Sequence, residues 1–428
     1  MEGSGDDGRA EQIMMLALRL GDEMFVSGAE TRTVETALLA VTARLGLRGL
    51  EADISARSIH LQYRPPGGPP LVMMRVTRTD DGKDLDRMGL VHRLVEEIVT
   101  GRTDAAGADR ELDRIARVAG RWPWWVRVAG GAVLAAMICL QAGGTAAGAL
   151  VSALLLVLVD RGGVLVSRTG LPGFYLVMAK AALAVGIGLL FFALGLSGQA
   201  VAGLVAANLV LLLPILSVVS LSEDAISGFT LMAAGRIVEV AMTLGALFVG
   251  VAIAGSLALD ATDFEQDAYG VKFAQLPLVV ALAAAAVGAA GNTLFNGGAA
   301  RLLPVGVGAG LLTGAVNNLA RSGLGLAAPL AVLLAAAVLG WAATHAGRRL
   351  RIPSTVLVIP GVTGALLPGP DVYLALVKYA SGAAGASSAL MGALITTAAI
   401  GVGVVLGNFV GTGRAGRTAA ARLGMDAP

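Results

Sequence analysis

Few side chains in this sequence could do chemistry, and most of those that could sit in or beside long apolar stretches. Glu239 lies about one turn into such a stretch, where lost hydration strengthens a carboxyl group's hold on a proton. It could carry a coupled proton, or form a plain structural salt bridge with Arg236 three residues earlier. Lys180, about two turns into another stretch, could be the counter-ion of a bound carboxylate or of Glu239, or could extend to the membrane interface. Glu223 and Asp224 follow one apolar run and Asp371 follows another, placed either to meet an ammonium group or to sit in solvated loops. Asn208, Asn292, Asn296, Asn317 and Asn318 offer neutral contacts to a zwitterion, or hydrogen bonds between helices.

Two prolines add backbone chemistry. A proline inside a span removes one helical hydrogen bond and clashes with the preceding turn, so Pro214 and Pro360 free carbonyls that protein, water or a ligand must satisfy. Half-helix ends near the midplane can hold the carboxylate and ammonium of an amino acid through backbone groups. Gly361, Gly364 and Gly369 would admit a ligand close to the backbone, or serve helix packing.

Other chemistries are poorly provided for. No Gly-x-x-x-x-Gly-Lys-Ser/Thr loop is present, which argues against ATP-driven work by the chain itself. His60, His92 and His345 lie far apart with no metal-ligand spacing, and Asp53, Ser58 and His60 make a weak nucleophile set. The single cysteine, Cys139, allows no internal disulfide or Cys-based cluster. No cofactor, metal or nucleic-acid partner is expected, and the chain reads as a non-enzyme.

These groups must be positioned by membrane helices. The 428 residues are 56% hydrophobic and 14% charged, and 38 of the 62 Asp, Glu, Lys and Arg residues precede Val128. That asymmetry marks a soluble N-terminal domain, residues 1–121, fused to a membrane domain. A span needs about 20 apolar residues, fewer where helices are broken. On that ruler the first half, 122–259, holds Trp124–Gln141, Thr145–Val159, Phe174–Leu196, Gln199–Val219 and Gly235–Leu259. The second half, 273–410, holds Phe273–Ala290, Leu302–Leu319, Leu326–Thr344, Ser354–Leu367 and Ser388–Gly407. An acidic external linker, 260–272, joins them and a basic tail, 411–428, follows.

Read at a fixed offset, Leu213-Pro214 to Gly228 overlies Ile359-Pro360 to Leu374, and Arg236–Gly255 overlies Gly382–Gly401. Five spans per half invert the second copy, an arrangement characteristic of secondary transporters with a midplane site. Arg161, Arg168, Arg301, Arg348, Arg349, Arg351 and the tail arginines fall on one side, with the acidic linker on the other. The positive-inside rule then places both termini in the cytoplasm, and Met1–Asp22 lacks the pattern of a cleavable signal.

The N-terminal part reads as α+β: helices over Gln12–Ser27 and Thr33–Leu45, strands over Ala52–Arg64 and Leu71–Thr77 around a proline- and glycine-rich loop, then helices over Asp84–Thr100 and Ala108–Ala119. Arg121 to Trp125 is an interfacial anchor.

Ser27-Gly28-Ala29-Glu30-Thr31-Arg32-Thr33-Val34-Glu35, followed by Leu45-Gly46-Leu47, resembles the N-terminal signature of the threonine/serine exporter family. Pro360-Gly361, Pro368-Gly369, Asp371 and Tyr373 resemble its second-repeat signature, and Pro214 with Glu223, Asp224 and Gly228 the first-repeat counterpart, although Ile215 stands where the second has Gly361. The resemblance implies a full-length exporter of small hydroxy amino acids in a bacterial plasma membrane, driven by the proton gradient. Relatives whose two parts are separate proteins are associated with dicarboxylate export, so a succinate-type substrate stays open. A membrane-anchored cytoplasmic sensor or hydrolase is the alternative of a different class, and a homo-oligomer is also left open.

Overall fold

The computed structural model describes residues 3–55, 57–77, 84–117, 120–256, 276–380 and 383–422. The acidic stretch 260–272 lies outside them, as do the side chains of Arg414, Arg417 and Arg422.

The first part contains α1 (Gly3–Val26), α2 (Thr31–Leu45), three strands and two further helices, α3 (Leu85–Val99) and α4 (Ala105–Arg117). Helical spacing of apolar residues explains the pairing of α1 with α2, since Met14, Leu20, Val34, Leu38 and Val41 meet in one buried core. Gly46, with φ of 111°, ends α2, and Leu47 N–H closes onto Thr42 O at 2.9 Å. Asp84 caps α3 by accepting from the backbone N–H of Asp86 and Arg87, each at 3.0 Å.

The sheet corrects the sequence reading. Ala52–Arg64 is not one strand but two, β1 (Glu51–Ser55) and β2 (Ser58–Tyr63), antiparallel with Ser55 opposite Ser58. A two-residue connection keeps the alternation in phase, and Ser-Ala-Arg-Ser carries no glycine, asparagine or proline to mark a turn. Strand β3 (Leu71–Val76) pairs with β2, giving the order β1-β2-β3. Ile59, Leu61 and Tyr63 of β2 are buried, whereas Val72, Met74 and Val76 point outward.

Helices dominate the remainder. In order they are α5 (Trp124–Gln141), α6 (Ala146–Ser167), α7 (Gly173–Ala193), α8 (Gly198–Val210), α9 (Ile215–Ile226) and α10 (Thr230–Ser256). Then follow α11 (Leu278–Phe295), α12 (Leu303–Asn318), α13 (Ala328–Leu350), α14 (Thr355–Ala365), α15 (Gly369–Ala380) and α16 (Ala386–Arg422). A short 3₁₀ turn, Ala300–Leu302, precedes α12 and a π turn, Leu319–Gly323, extends it. Among the described residues eight helices are long and apolar enough to cross a membrane, or ten spans if α8–α9 and α14–α15 each count as one. The protein is a multi-pass helical membrane protein.

Three differences from the sequence reading bear on the site. Helix α6 runs to Ser167 rather than stopping at Val159, so Asp160 and Arg161 lie within it and not in a loop. Glu223 and Asp224 lie in the last turns of α9 rather than after a span. The stretches read as the fourth and ninth spans are bent helix pairs, by 47° and 64°.

Small residues set the packing. Helices α5 and α11 cross where a Cβ on Gly130 would lie 2.6 Å from Gly291 O, and one on Gly291 would lie 2.6 Å from Gly130 O. Gly403, Gly407 and Gly411, four apart on one face of α16, lie against Leu333, Ala337 and Thr344 of α13. Gly245 and Gly250 of α10 lie against Phe174 and Met178 of α7, so these two helices run parallel.

Candidate functional site

Two cavities penetrate the helical part from opposite faces, each of about 370 Å³. The proximal one opens on the face that carries the N-terminal unit. Its lining includes Asp160 and Arg161 of α6, Arg127 of α5, and Asn292 and Asn296 at the end of α11. It also touches Val210, Leu211, Leu213 and Ile215 at the break between α8 and α9. The distal cavity is lined by Gln141, Asn317, Asn318, Arg321 and Asp371, and by Leu366, Leu367, Pro368 and Pro370 where α14 breaks into α15. Thr363 and Leu367 line both cavities. The two cavities thus approach each other at these two residues of the α14 region.

Sequence explains each break. Pro214 has no N–H, so the chain leaves α8 through Leu211–Leu213 and restarts as α9 at Ile215. Pro368 does the same after α14, leaving the Gly364 carbonyl to accept from Gln141 Nε2 at 2.9 Å. Asn292 Nδ2 donates to Ile359 O at 3.2 Å, and Thr363 Oγ1 donates to the same oxygen at 2.8 Å. The Gly364 carbonyl opened by the break is therefore met by a side chain of α5, while Asn292 ties α11 to the backbone of α14.

The proximal charges are held in place. Arg161 Nε lies 2.9 Å from Asp160 Oδ2, with its guanidinium 4.4 Å over the Trp124 ring. Arg127 Nε donates to Phe295 O at 3.2 Å. A zwitterion needs an anion for its ammonium and a cation for its carboxylate. Asp160 with Arg127 and Arg161 supplies both on the proximal side, and Asp371 with Arg321 on the distal side.

The threonine/serine exporter family model matches residues 15–258, more than half of the chain. The chain belongs to the threonine/serine exporter family. It is 28% identical over 434 residues to a protein of Mycobacterium tuberculosis (strain ATCC 25618 / H37Rv) described as a probable threonine/serine exporter, covering 97% of this chain and 80% of that one. It is 24% identical over 440 residues to a threonine/serine exporter of Corynebacterium glutamicum, covering 95% and 83%. No solved structure matches.

Within this exporter-family chain, the residues singled out from sequence scatter over several places. Pro214 and Asp371 stand at the two breaks, and Asn292, Asn296, Asn317 and Asn318 line the cavities. Pro360 does not break its span: it lies inside α14, and the break falls at Leu366–Pro368. The structural counterpart of Leu213-Pro214 is thus Leu367-Pro368, eight residues beyond the pairing read from the fixed offset. Gly361 serves packing, since a Cβ there would lie 2.8 Å from Leu339. Asn208 is buried and turned away from the cavities, its Nδ2 donating to Leu204 O at 2.9 Å and Ser152 Oγ at 3.2 Å.

Glu223 and Asp224 gather with Glu30, Arg32 and Arg236 at the base of the N-terminal unit. Arg236 pairs with Asp224 at 2.7 Å rather than with Glu239. Glu239 is exposed on α10 and accepts from Ser217 Oγ at 2.8 Å. Lys180 packs over Gly163 of α6. It lies beside Met178 and Ala181, which are level with Gly250, eleven residues or about 16 Å along α10 from Glu239, so the two do not meet. Replacing Glu239 by Gln is accordingly expected to change efflux less than about twofold, because a neutral amide keeps the Ser217 bond at an exposed site. Side-by-side efflux rates of the two proteins in vesicles check this.

Asp160, Arg161, Arg127, Gln141, Arg321 and Thr363 were not picked out by sequence as site residues. For the first two a signal existed: a fifteen-residue second span is shorter than a bilayer requires, and lengthening it encloses the Asp-Arg pair.

Proposed function

We propose that this protein is a secondary active exporter of small hydroxy amino acids, threonine and serine, exchanging them for protons across a bacterial plasma membrane. The observation that carries this reading is the pair of polar cavities that approach from opposite faces and end on Thr363 and Leu367. Substrate bound at Asp160, Arg127 and Arg161 would be released past Asp371 and Arg321 once the septum shifts. The hydroxyl of threonine or serine suits Asn292, Asn296 and Thr363, which offer neutral donors and acceptors at the septum.

Alternating access between two inverted repeats, 122–259 and 273–410, is supported by the pairing of helices. In each half the first helix packs on the second, the third runs along the fifth, and the fourth is broken at a proline. The two first helices, α5 and α11, cross each other at Gly130 and Gly291. Arg168, Arg301, Arg348, Arg349 and Arg351 lie at the proximal ends of their helices, which supports a cytoplasmic proximal face and a cytoplasmic N-terminal domain, residues 1–121.

Efflux of labelled threonine, serine and succinate from preloaded vesicles, with and without a protonophore, tests the reading. Threonine or serine efflux that collapses with the gradient is the expected result. Efflux of succinate alone would move the substrate class to dicarboxylates, and no flux of any would overturn the exporter.

A further inference from the structure

Several hydrogen bonds and ion pairs tie the N-terminal unit to the second half. Leu85 N–H donates to Asn296 O at 2.9 Å, and Arg301 Nη2 lies 2.7 Å from Asp86 Oδ1. Arg351 lies 3.4 Å from Glu96, and Thr355 Oγ1 donates to Glu30 Oε1 at 3.0 Å. Leu85 and Met88 of α3 join Ile352 and Val356 in one apolar cluster. Toward the first half the unit presents something different. Glu30, in the turn between α1 and α2, and Arg32 meet Glu223 and Asp224 of α9 and Arg236 of α10.

Three carboxylates and two guanidiniums share this seam, which leaves one negative charge in excess. Glu30 is 6% exposed and Asp224 0%. Arg236 binds one oxygen of Asp224; its other oxygen, Oδ1, and Glu223 Oε2 are buried without a partner among the described residues. Arg32 is drawn aside over the Phe409 ring of α16, 5.9 Å from its centroid, and also faces Glu35. His92 of α3 lines a small pocket with Glu30, and the Glu23–Arg87 pair closes the other side of the turn. A buried, net-negative cluster with unfilled acceptor oxygens is a place for a proton.

We propose that the Glu30, Glu223 and Asp224 seam is a proton-operated latch, which when protonated holds the N-terminal unit against α9 and α10 and when deprotonated lets the first half move relative to the second. Its purpose rests on the proton-exchange reading above. In that cycle a proton reaching the proximal face fastens the unit across the mouth, and its release to the cytoplasm frees α9 and α10.

The sign follows from burial. Desolvation lifts the Glu30 carboxyl above the ordinary carboxylate range, against the pull of its bonds to Thr355 and Thr33 and of Arg236. The docked seam therefore holds its proton more tightly than the same carboxyl hydrated in an undocked unit. Docking is strongest below the ordinary carboxylate range and weakens as pH rises through the lifted value. Burial pushes His92 below the ordinary imidazole range, against the pull of Glu96.

The test uses the full chain in liposomes, with Cys139→Ala and spin labels on cysteines placed at the exposed Arg48 and Leu231. Distances between labels are measured without substrate from about pH 5 to about pH 8. A single short distance at acid pH, joined by a growing longer population as pH rises, is expected. Glu30→Gln, which mimics the protonated acid, should keep the short distance at every pH, and Glu223→Gln should shift the transition to higher pH. A distribution that does not change with pH in the parent, or a Glu30→Gln protein that opens as the parent does, would overturn the latch. The parent titration stands even if a variant fails to fold. Threonine efflux from the same liposomes reads the exporter separately, so loss of the latch and loss of the transport reading are told apart.

Discussion

Replacing Asp160 by Asn is expected to cut threonine efflux by a factor of about 30 to 150. The estimate follows from one charge-assisted hydrogen bond to an ammonium group, worth about 2 to 3 kcal/mol. The substitution keeps side-chain volume and its oxygen acceptor, so packing of α6 is undisturbed. It removes the anion beside Arg161, 2.9 Å away, and leaves two guanidiniums facing the cavity with no carboxylate among them. A zwitterion then meets a site that attracts its carboxylate and repels its ammonium. Efflux rates at several internal threonine concentrations check this, with Asp160→Glu as the partner variant expected to recover part of the loss. Rates within about twofold of the parent at every concentration would remove Asp160 from the substrate site.

The second large effect is structural. Gly291→Val should abolish a stable, monodisperse protein, because the new Cβ would lie 2.6 Å from Gly130 O and 3.0 Å from Leu134 N. Those are backbone atoms of a neighbouring helix and cannot rotate out of the way. Helices α5 and α11 would have to separate, and both supply cavity walls. Overpacking of flexible side chains costs about 1 to 3 kcal/mol, and a backbone clash at a helix crossing lies at or beyond the top of that range. Gly308→Ala is the control, since nothing lies within 4 Å of a Cβ there and α12 is continuous around it. Size-exclusion profile and thermal midpoint of the three proteins decide the matter; a Gly291→Val protein as stable as the parent would mean the crossing is looser than described.

The apolar stretches were legible because apolar length is a one-dimensional property: eight of the ten correspond to helices long enough to cross a membrane and two to bent pairs. The breaks were legible only in part. Pro214 and Pro360 look alike in sequence, yet one stands between two helices and the other inside α14. A proline shows that one hydrogen bond is missing; where the chain bends depends on whether neighbouring side chains meet the freed carbonyls. The distinction between Asp224 and Glu239 was equally out of reach. Both stand near Arg236, and only the rotation of α10 decides which carboxylate the guanidinium meets. Glu30 stood out as part of a family-like motif, but its contact with Thr355, 325 positions away, belongs to tertiary structure.

The thinness of the partition between the two cavities has an electrical consequence. Polar cavities of this size hold about ten waters each, so each is at nearly the potential of the solution it opens to. The voltage across the bilayer then falls mainly over the protein where the cavities approach each other, around Thr363 and Leu367, instead of over about 30 Å of hydrocarbon. A charge passing that layer does the full work of about 2.3 kcal/mol per 100 mV. On the proposed exchange, a threonine zwitterion, with no net charge, would cross without sensing the field, whereas an exchanged proton would sense all of it. Each turnover would move one unit of current for each proton exchanged, and membrane voltage would drive export as directly as the pH difference does.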